Sequence, residues 1–176
     1  MKIRDIAQTI YGRVFSMLNP IGYCRHLGAT IGDGCVLKAS MLGSEPWLIT
    51  IGNHVLLAEG VKILTHDGAG FCLNYGNKEP VRMDMWGTVK IGNNVYVGTN
   101  AIISSNIEIV DNVIVGAGAV VTKSIVEDGV YVGIPAKRIK SFDEWKESAL
   151  KKAQNTYGMT TNERIDFYNN LFDNHK

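Results

Sequence analysis

The chain has 176 residues and a formal net charge of +1. This length fits one domain, the balanced charge argues against a nucleic-acid surface, and no run approaches the ~18 consecutive apolar residues of a membrane span. The first residues also lack the apolar run and cleavage site of a secretory signal, so we expect a cytoplasmic protein. The three cysteines, Cys24, Cys35 and Cys72, lack metal-ligand spacing, and Cys35 is expected to be a buried structural thiol.

The first predicted element is an amphipathic helix over Lys2 to Leu18. Its apolar side chains recur at helical spacing: Ile3, Ile6, Ile10, Val14, Met17 and Leu18. Asn19-Pro20 predicts its end, because the residue before a proline avoids the helical region. We expect the helix to pack on the structure that follows, and a contact with a membrane surface is the alternative.

The longest patterned stretch, Met85 to Val126, repeats every six residues. The first position of each six is apolar: Met85, Ile91, Val97, Ile103, Ile109, Val115 and Val121. The fifth position is also apolar: Val89, Val95, Ala101, Ile107, Val113, Ala119 and Ile125. Shorter runs of the same lattice occupy residues 31–42 and 51–68. A period of six fits neither a helix nor a simple alternating strand, and it predicts a solenoid of short stacked strands.

Two segments interrupt this lattice. Gly43 to Trp47 contains glycine, serine and proline, which predicts a small loop. Ile63 and Met85 are 22 positions apart, which is not a multiple of six, so about 16 residues, Ala69 to Asp84, are expected to leave the solenoid. Long loops on a rigid scaffold commonly carry function, and covering a neighbouring subunit is the alternative role.

Two helices are predicted after the lattice. Ser141-Phe142-Asp143-Glu144 is a capping box that opens a helix to about Thr156, and Thr160-Thr161-Asn162-Glu163 opens a second one. We expect these helices to close the last coil and protect its edge strands, with assembly contacts as the alternative. The chain then divides into an N-terminal helical segment (1–30), a solenoid domain (31–140, with loop 69–84) and C-terminal helices (141–176).

The repeats, together with Val115-Gly116-Ala117-Gly118-Ala119 and Gly133-Ile134-Pro135-Ala136-Lys137, resemble the hexapeptide-repeat acyltransferases. Within that family the layout is most similar to bacterial capsule, lipopolysaccharide and O-antigen O-acetyltransferases. The resemblance implies a mainly β fold, a left-handed parallel β-helix, which is usually a homotrimer. It also implies transfer of an acetyl group from acetyl-CoA to a saccharide hydroxyl, without a metal.

His66 is the candidate general base. It lies in Leu64-Thr65-His66-Asp67, just before the long loop, where the resembled family has its catalytic histidine. An imidazole can take the proton of a hydroxyl as the oxygen attacks a thioester carbonyl. His54, at a corner position predicted to face outward, is the competitor. The group that orients His66 is left open among a backbone carbonyl and three carboxylates: Glu59, Asp67 and Asp84.

The resemblance assigns residues to the coenzyme, and the composition of the long loop suggests residues for the acceptor. Seven positions match the coenzyme-binding groove: Tyr96, Thr99, Ala117, Thr122, Lys123, Lys137 and Lys140. Many relatives have tryptophan in place of Tyr96 and arginine in place of Lys137. Four positions in or next to the long loop are expected to bind the acceptor: Asn74, Tyr75, Arg82 and Trp86. Backbone N–H groups of a turn on the adjoining subunit, such as those of Gly98 or Gly116, are the expected donors to the oxyanion.

Three other functions fit parts of this pattern. An N-acyltransferase of a nucleotide-linked amino sugar shares the repeats but usually carries an extra nucleotide-binding segment. A zinc carbonic anhydrase on this fold needs three imidazoles around one metal, and only His54 and His66 lie in the lattice. A non-catalytic solenoid scaffold needs neither the long loop nor its histidine.

Overall fold

The computed structural model describes residues 14–38, 42–79 and 84–173. Most of the predicted N-terminal helix lies outside these ranges; residues 14–18 are helical. Helix α1 (Pro20–His26) follows, with proline at its first turn and the Asn19 side chain accepting a hydrogen bond from the Gly22 amide at 2.9 Å. Asn19-Pro20 therefore ends one helix and begins the next.

Three parallel sheets form the body of the chain. Sheet A contains β1 (Thr30–Ile31), β3 (Ile49–Ile51), β8 (Val89–Ile91) and β11 (Ile107–Ile109). Sheet B contains β2 (Val36–Leu37), β4 (Val55–Leu57), β9 (Val95–Val97), β12 (Val113–Val115) and β14 (Gly129–Val132), with β15 (Lys137–Lys140) antiparallel at its edge. Sheet C contains β5 (Lys62–Ile63), β10 (Ile102–Ile103) and β13 (Val120–Val121). The chain visits sheets A, B and C in rotation, an arrangement that fits a β-helix.

The six-residue period predicts the core of these sheets correctly. All seven fifth positions are buried, and so are the first positions from Ile91 onward. Met85 is the exception: it is 53% exposed and pairs with Asp67 in an antiparallel hairpin of β6 (His66–Asp67) and β7 (Met85–Trp86). The lattice therefore resumes at Val89 rather than at Met85.

The last coil is shorter than the repeat predicts. Val95 pairs with Val113, three hexapeptides further along the chain, but Val113 pairs with Gly129, which is two residues short of the same distance. Ile125 consequently bridges to Ile109 instead of Ile107. Because side chains of a strand alternate with a period of two, a shift of two residues keeps Ile125 inside the core.

The two interruptions of the lattice differ in length but occur at the same point of the coil. Thr30 pairs with Thr50, so the first coil is two residues longer than the regular three hexapeptides. Ile49 pairs with Val89, so the second coil exceeds the regular length by more than three hexapeptides. The sequence predicted an excursion of fewer than three hexapeptides at this place. Both additions lie between the sheet C position and the next strand of sheet A. The longer one includes a 3-10 helix, Gly68–Asn74.

The chain divides into two compact units, Met1–Trp145 and Lys146–Lys176. The predicted capping box is present: the Glu144 carboxylate accepts a hydrogen bond from the Ser141 amide at 2.7 Å, and helix α2 (Phe142–Leu150) follows. Helix α2 ends earlier than predicted, and α3 (Thr161–Asp173) is the last element. No helix among the described residues is long and apolar enough to cross a membrane.

Candidate active site

Glu45 and His66 meet because the two interruptions leave consecutive coils at the same corner. Glu45 lies in the short loop before β3, and His66 opens the long loop after β5. The Oε2 atom of Glu45 is 2.9 Å from Nδ1 of His66 and also accepts a hydrogen bond from the Thr65 hydroxyl. Glu45 is 5% exposed, whereas 37% of the His66 side chain is exposed. The pair therefore has a buried carboxylate and an imidazole that reaches the surface.

The Glu45 carboxylate is held in its charged form. Burial raises the pKa of Glu45, but hydrogen bonds from Thr65 and His66, the charge of His66 and a bond from Ser44 outweigh it, so the net pKa lies below its ordinary value. An ionised carboxylate only accepts hydrogen bonds, so Nδ1 of His66 carries the proton that it donates to Glu45. In the neutral imidazole, Nε2 then has a free lone pair and can act as a base.

Sequence reasoning missed Glu45. The carboxylate at Nδ1 of His66 is Glu45 rather than any of the three that the sequence suggested. Asp67 instead accepts a hydrogen bond from the Ala69 amide at 2.8 Å and caps the 3-10 helix, and Glu59 lies at the corner between sheets B and C. The interrupted lattice at Gly43 to Trp47 was a usable signal, because this loop and the next interruption both lie between sheet C and sheet A, on consecutive passages of the chain.

Among the residues predicted to bind the acceptor substrate, Trp86 is the one that the structure brings next to His66. The two residues are paired in the β6–β7 hairpin, with ring centroids 5.4 Å apart and ring planes inclined by 46°. Asn74 is half-buried at the end of the 3-10 helix, and Tyr75 is 97% exposed. Arg82 lies outside the described residues.

A cavity of about 530 Å³ opens beside His66. The short loop and the outer side of β5 line it: Gly43, Ser44, Val61, Lys62, Ile63, Leu64, Thr65 and His66. Its wall combines backbone, aliphatic side chains, one lysine and the imidazole. A ligand in this cavity would therefore lie against His66.

The residues matched to the coenzyme do not form one cluster within the chain. Tyr96 lies on the outer face of sheet B, in a mostly apolar cavity of about 450 Å³ that also contains His54, Phe142 and Trp145. Thr99 and Ala117 are at the corner between sheets B and C. Thr122 and Lys123 follow β13 at the corner where His66 follows β5. Lys137 and Lys140 are the ends of β15.

The expected oxyanion donors are wrong. The amide of Gly98 donates to the carbonyl of Val115, and the amide of Gly116 donates to the carbonyl of Tyr131, both at 2.8 Å. These bonds continue the ladder between neighbouring coils, which leaves neither N–H group for a ligand.

Two other expectations concern cysteine and metal. Cys35 is only half-buried, with its Sγ 3.2 Å from the Gly52 carbonyl oxygen, because its side chain lies at the edge of the core; Cys24 is the fully buried thiol. Within the described parts of the chain, no group of three or more His, Cys, Asp or Glu side chains could hold a metal ion.

Comparisons with known proteins identify relatives of this chain. The model of the bacterial transferase hexapeptide family, six repeats, matches residues 88–123. Protein CapG of Staphylococcus aureus is 39% identical over 151 residues, which are 84% of this chain and 86% of CapG. Galactoside O-acetyltransferase of Escherichia coli (strain K12) is 30% identical over 100 residues, 57% of this chain, and the chain spans 47% of that relative.

A solved structure has a similar fold. It is a hexapeptide-repeat containing acetyltransferase from Vibrio cholerae O1 biovar eltor, complexed with acetyl coenzyme A. The TM-score is 0.58 at 19% sequence identity, over 77% of this chain and 86% of that one.

Proposed function

Because this chain belongs to the bacterial transferase hexapeptide family, we propose that it transfers an acetyl group from acetyl coenzyme A to a hydroxyl of a saccharide in the cytoplasm. The observation that carries the proposal is the contact of the buried Glu45 carboxylate with Nδ1 of His66, which directs Nε2 away from the core. The acetyl donor is supported by the Vibrio cholerae acetyltransferase of similar fold, and the saccharide by the galactoside O-acetyltransferase.

His66 acts as the general base in this reaction. Nε2 takes the proton of the acceptor hydroxyl while the oxygen attacks the thioester carbonyl. The tetrahedral intermediate collapses, the C–S bond breaks, and the imidazolium returns the proton to the departing thiolate of coenzyme A. Glu45 is a positioning residue: it fixes the tautomer of His66 and stabilises the imidazolium that forms.

The acceptor binds between the cavity beside His66 and the long loop. Trp86 offers an exposed aromatic face next to the imidazole, against which the apolar face of a sugar ring can pack. Asn74, Tyr75 and Arg82 belong to the same loop and complete the acceptor site in this proposal. Residues 31–140 then form the catalytic domain, and the helices in 1–30 and 141–176 are accessory.

The coenzyme site is shared between copies of the chain in a homotrimer of left-handed β-helices. The support is the separation of Tyr96, on sheet B, from the corner that holds His66. The outer face of sheet B is apolar: Val36, Leu56, Tyr96 and Ile114. The outer face of sheet A is polar: Thr30, Thr50, Lys90 and Glu108. Sheet B therefore suits contact with a second copy, and Thr99, Ala117, Thr122, Lys123, Lys137 and Lys140 supply the remaining coenzyme contacts.

Thiol release from acetyl coenzyme A, measured with a panel of saccharides and amino sugars, tests the proposal. We expect His66→Ala to lower kcat by about a hundredfold or more, the range for loss of a general base, with coenzyme A binding unchanged by calorimetry. Asp67→Asn is the matched control: it is adjacent in the chain and retains the oxygen that caps Ala69, so its kcat should stay near the native value.

Two outcomes would reject the proposal. Native activity in His66→Ala would remove His66 as the base. Absence of both turnover and coenzyme A binding in the native chain would favour a non-catalytic scaffold.

A further inference from the structure

Three side chains of the segment from β5 to His66 are accessible beside the cavity. Ile63 and Thr65 are buried and alternate along the chain with Lys62, Leu64 and His66, a row of exposed or half-buried side chains. All three line the cavity of about 530 Å³ beside the imidazole. The cavity wall therefore contains, in order along the chain, a cation, an aliphatic surface and the candidate base.

The spacing of this row suits a sugar. At about 3.3 Å per residue in an extended chain, the Cα atoms of Lys62 and His66 are at most roughly 13 Å apart. The flexible four-carbon stem of lysine can carry its ammonium group several ångströms toward the imidazole. An acceptor ring lying on Leu64 would then have one edge at Nε2 of His66 and the other near the ammonium group of Lys62.

Lys62 carries a charge that none of the described residues neutralises through an ion pair. On sheet C, Lys62 is aligned with Ile102 and Val120, so the side chains that correspond to it in the next coils are apolar. The nearby Glu45 is buried and already bonded to Thr65 and His66. On sheet A, by contrast, Lys90 is neutralised by Glu108 at 2.7 Å. An unneutralised cation in a cavity wall raises the local concentration of anions.

We propose that Lys62 selects an acidic acceptor, a saccharide that carries a carboxylate or phosphate about one sugar ring from the hydroxyl that is acetylated. This inference rests on the proposed acetyl transfer. The ammonium group pairs with the anionic substituent, and that contact turns the opposite hydroxyl toward Nε2 of His66. Lys62 is thus a specificity-determining residue of the acceptor site and takes no part in proton transfer.

Matched acceptors test this inference. Galactose, galacturonic acid and galactose 6-phosphate, and the corresponding glucose series, share ring stereochemistry but differ in charge, and the two acids separate carboxylate from phosphate recognition. We expect the native protein to favour one acidic acceptor over the neutral sugar by about tenfold in kcat/KM, which equals about 1.4 kcal/mol. Lys62→Gln should raise the KM of that acid about tenfold and leave the KM values of the neutral sugar and acetyl coenzyme A unchanged.

Lys62→Glu and Lys90→Gln complete the design. The charge reversal should weaken the acidic acceptor further, whereas Lys90→Gln removes an equal charge from sheet A and should change none of the three KM values. A rise in the KM of acetyl coenzyme A in Lys62→Gln would overturn the inference, because the charge would then serve the coenzyme. Equal use of acidic and neutral sugars by the native protein would overturn it as well.

Calorimetric titration of each saccharide into the native protein and Lys62→Gln separates this inference from the proposed function. Binding of an acidic saccharide that depends on Lys62, without acetyl transfer to any acceptor, would reject the reaction and retain the site. Acetyl transfer that is indifferent to the charge of the sugar and to Lys62 would retain the reaction and reject the site.

Discussion

The coils from Val89 to Val121 follow the six-residue repeat, whereas the corner that holds His66 departs from it. In the regular coils, paired strands are three hexapeptides apart and each buried side chain packs on an equivalent one in the next coil. At the corner, a short insertion and a long one separate the strands, and the side chains that meet, Glu45 and His66, lie in or next to these insertions.

This difference shows how a repetitive scaffold acquires a specific site. Both insertions lie between sheets C and A, so sheets A, B and C keep their register while the corner gains new backbone. The two loops are adjacent because they depart from consecutive coils. Stability is therefore expected to depend on the regular coils and activity on the corner, a separation that three measurements on two substitutions test.

The largest expected effect is on stability. Leu57 is fully buried in β4, in register with Leu37 and Val97 on either side. Leu57→Ala should lower the free energy of unfolding by about 2–5 kcal/mol, because it leaves a cavity between three coils. Urea unfolding measures this, with Leu150→Ala as the control, since Leu150 is 71% exposed. Similar losses of unfolding free energy in the two variants would contradict the expectation that stability depends on the regular coils.

An intermediate effect is expected on catalysis. Glu45→Gln keeps an oxygen that can accept a hydrogen bond from Nδ1 of His66, but it removes the charge that stabilises the imidazolium. We expect kcat to fall about tenfold to a hundredfold, about 1.4–2.7 kcal/mol in activation free energy, with the KM of acetyl coenzyme A unchanged. The rate of thiol release at saturating acceptor measures it. An unchanged kcat would show that the charge of Glu45 does not serve the reaction.

The smallest effect is confined to acid pH. The pKa of Glu45 lies below its ordinary value in the folded chain, because its hydrogen bonds and the charge of His66 outweigh burial, so the unfolded chain binds more protons as the pH falls. The stability that ionised Glu45 contributes is complete above the unfolded pKa and is lost as the pH falls through the folded one. Urea unfolding of native protein and Glu45→Gln between about pH 3 and 6 should show a shallower decline in the variant. Identical slopes would contradict this.

Much of the fold could be predicted because the signals are local. The six-residue period identifies the buried positions of the coils, and Ser141 with Glu144 identifies the start of α2. The errors occur where the lattice ends. Met85 fits the apolar pattern but pairs with Asp67 in a hairpin, and Ile125 moves two residues in register because the last coil is short. Hydrophobic periodicity does not distinguish a residue of the lattice from one that matches it by position alone.

The sequence by itself determined the six-residue lattice and its two interruptions, because each of these is a pattern of neighbouring residues. The resemblance to a known family then suggested His66 as the candidate base. Only the tertiary structure decided that Glu45 holds the imidazole, that Trp86 lies beside it, and that Lys62 shares its cavity. Glu45 and His66 are 21 positions apart, and their contact depends on the length of one complete coil and on the corner at which each loop departs. A distance that is set by one complete passage of the chain through sheets A, B and C has no local signature in the sequence.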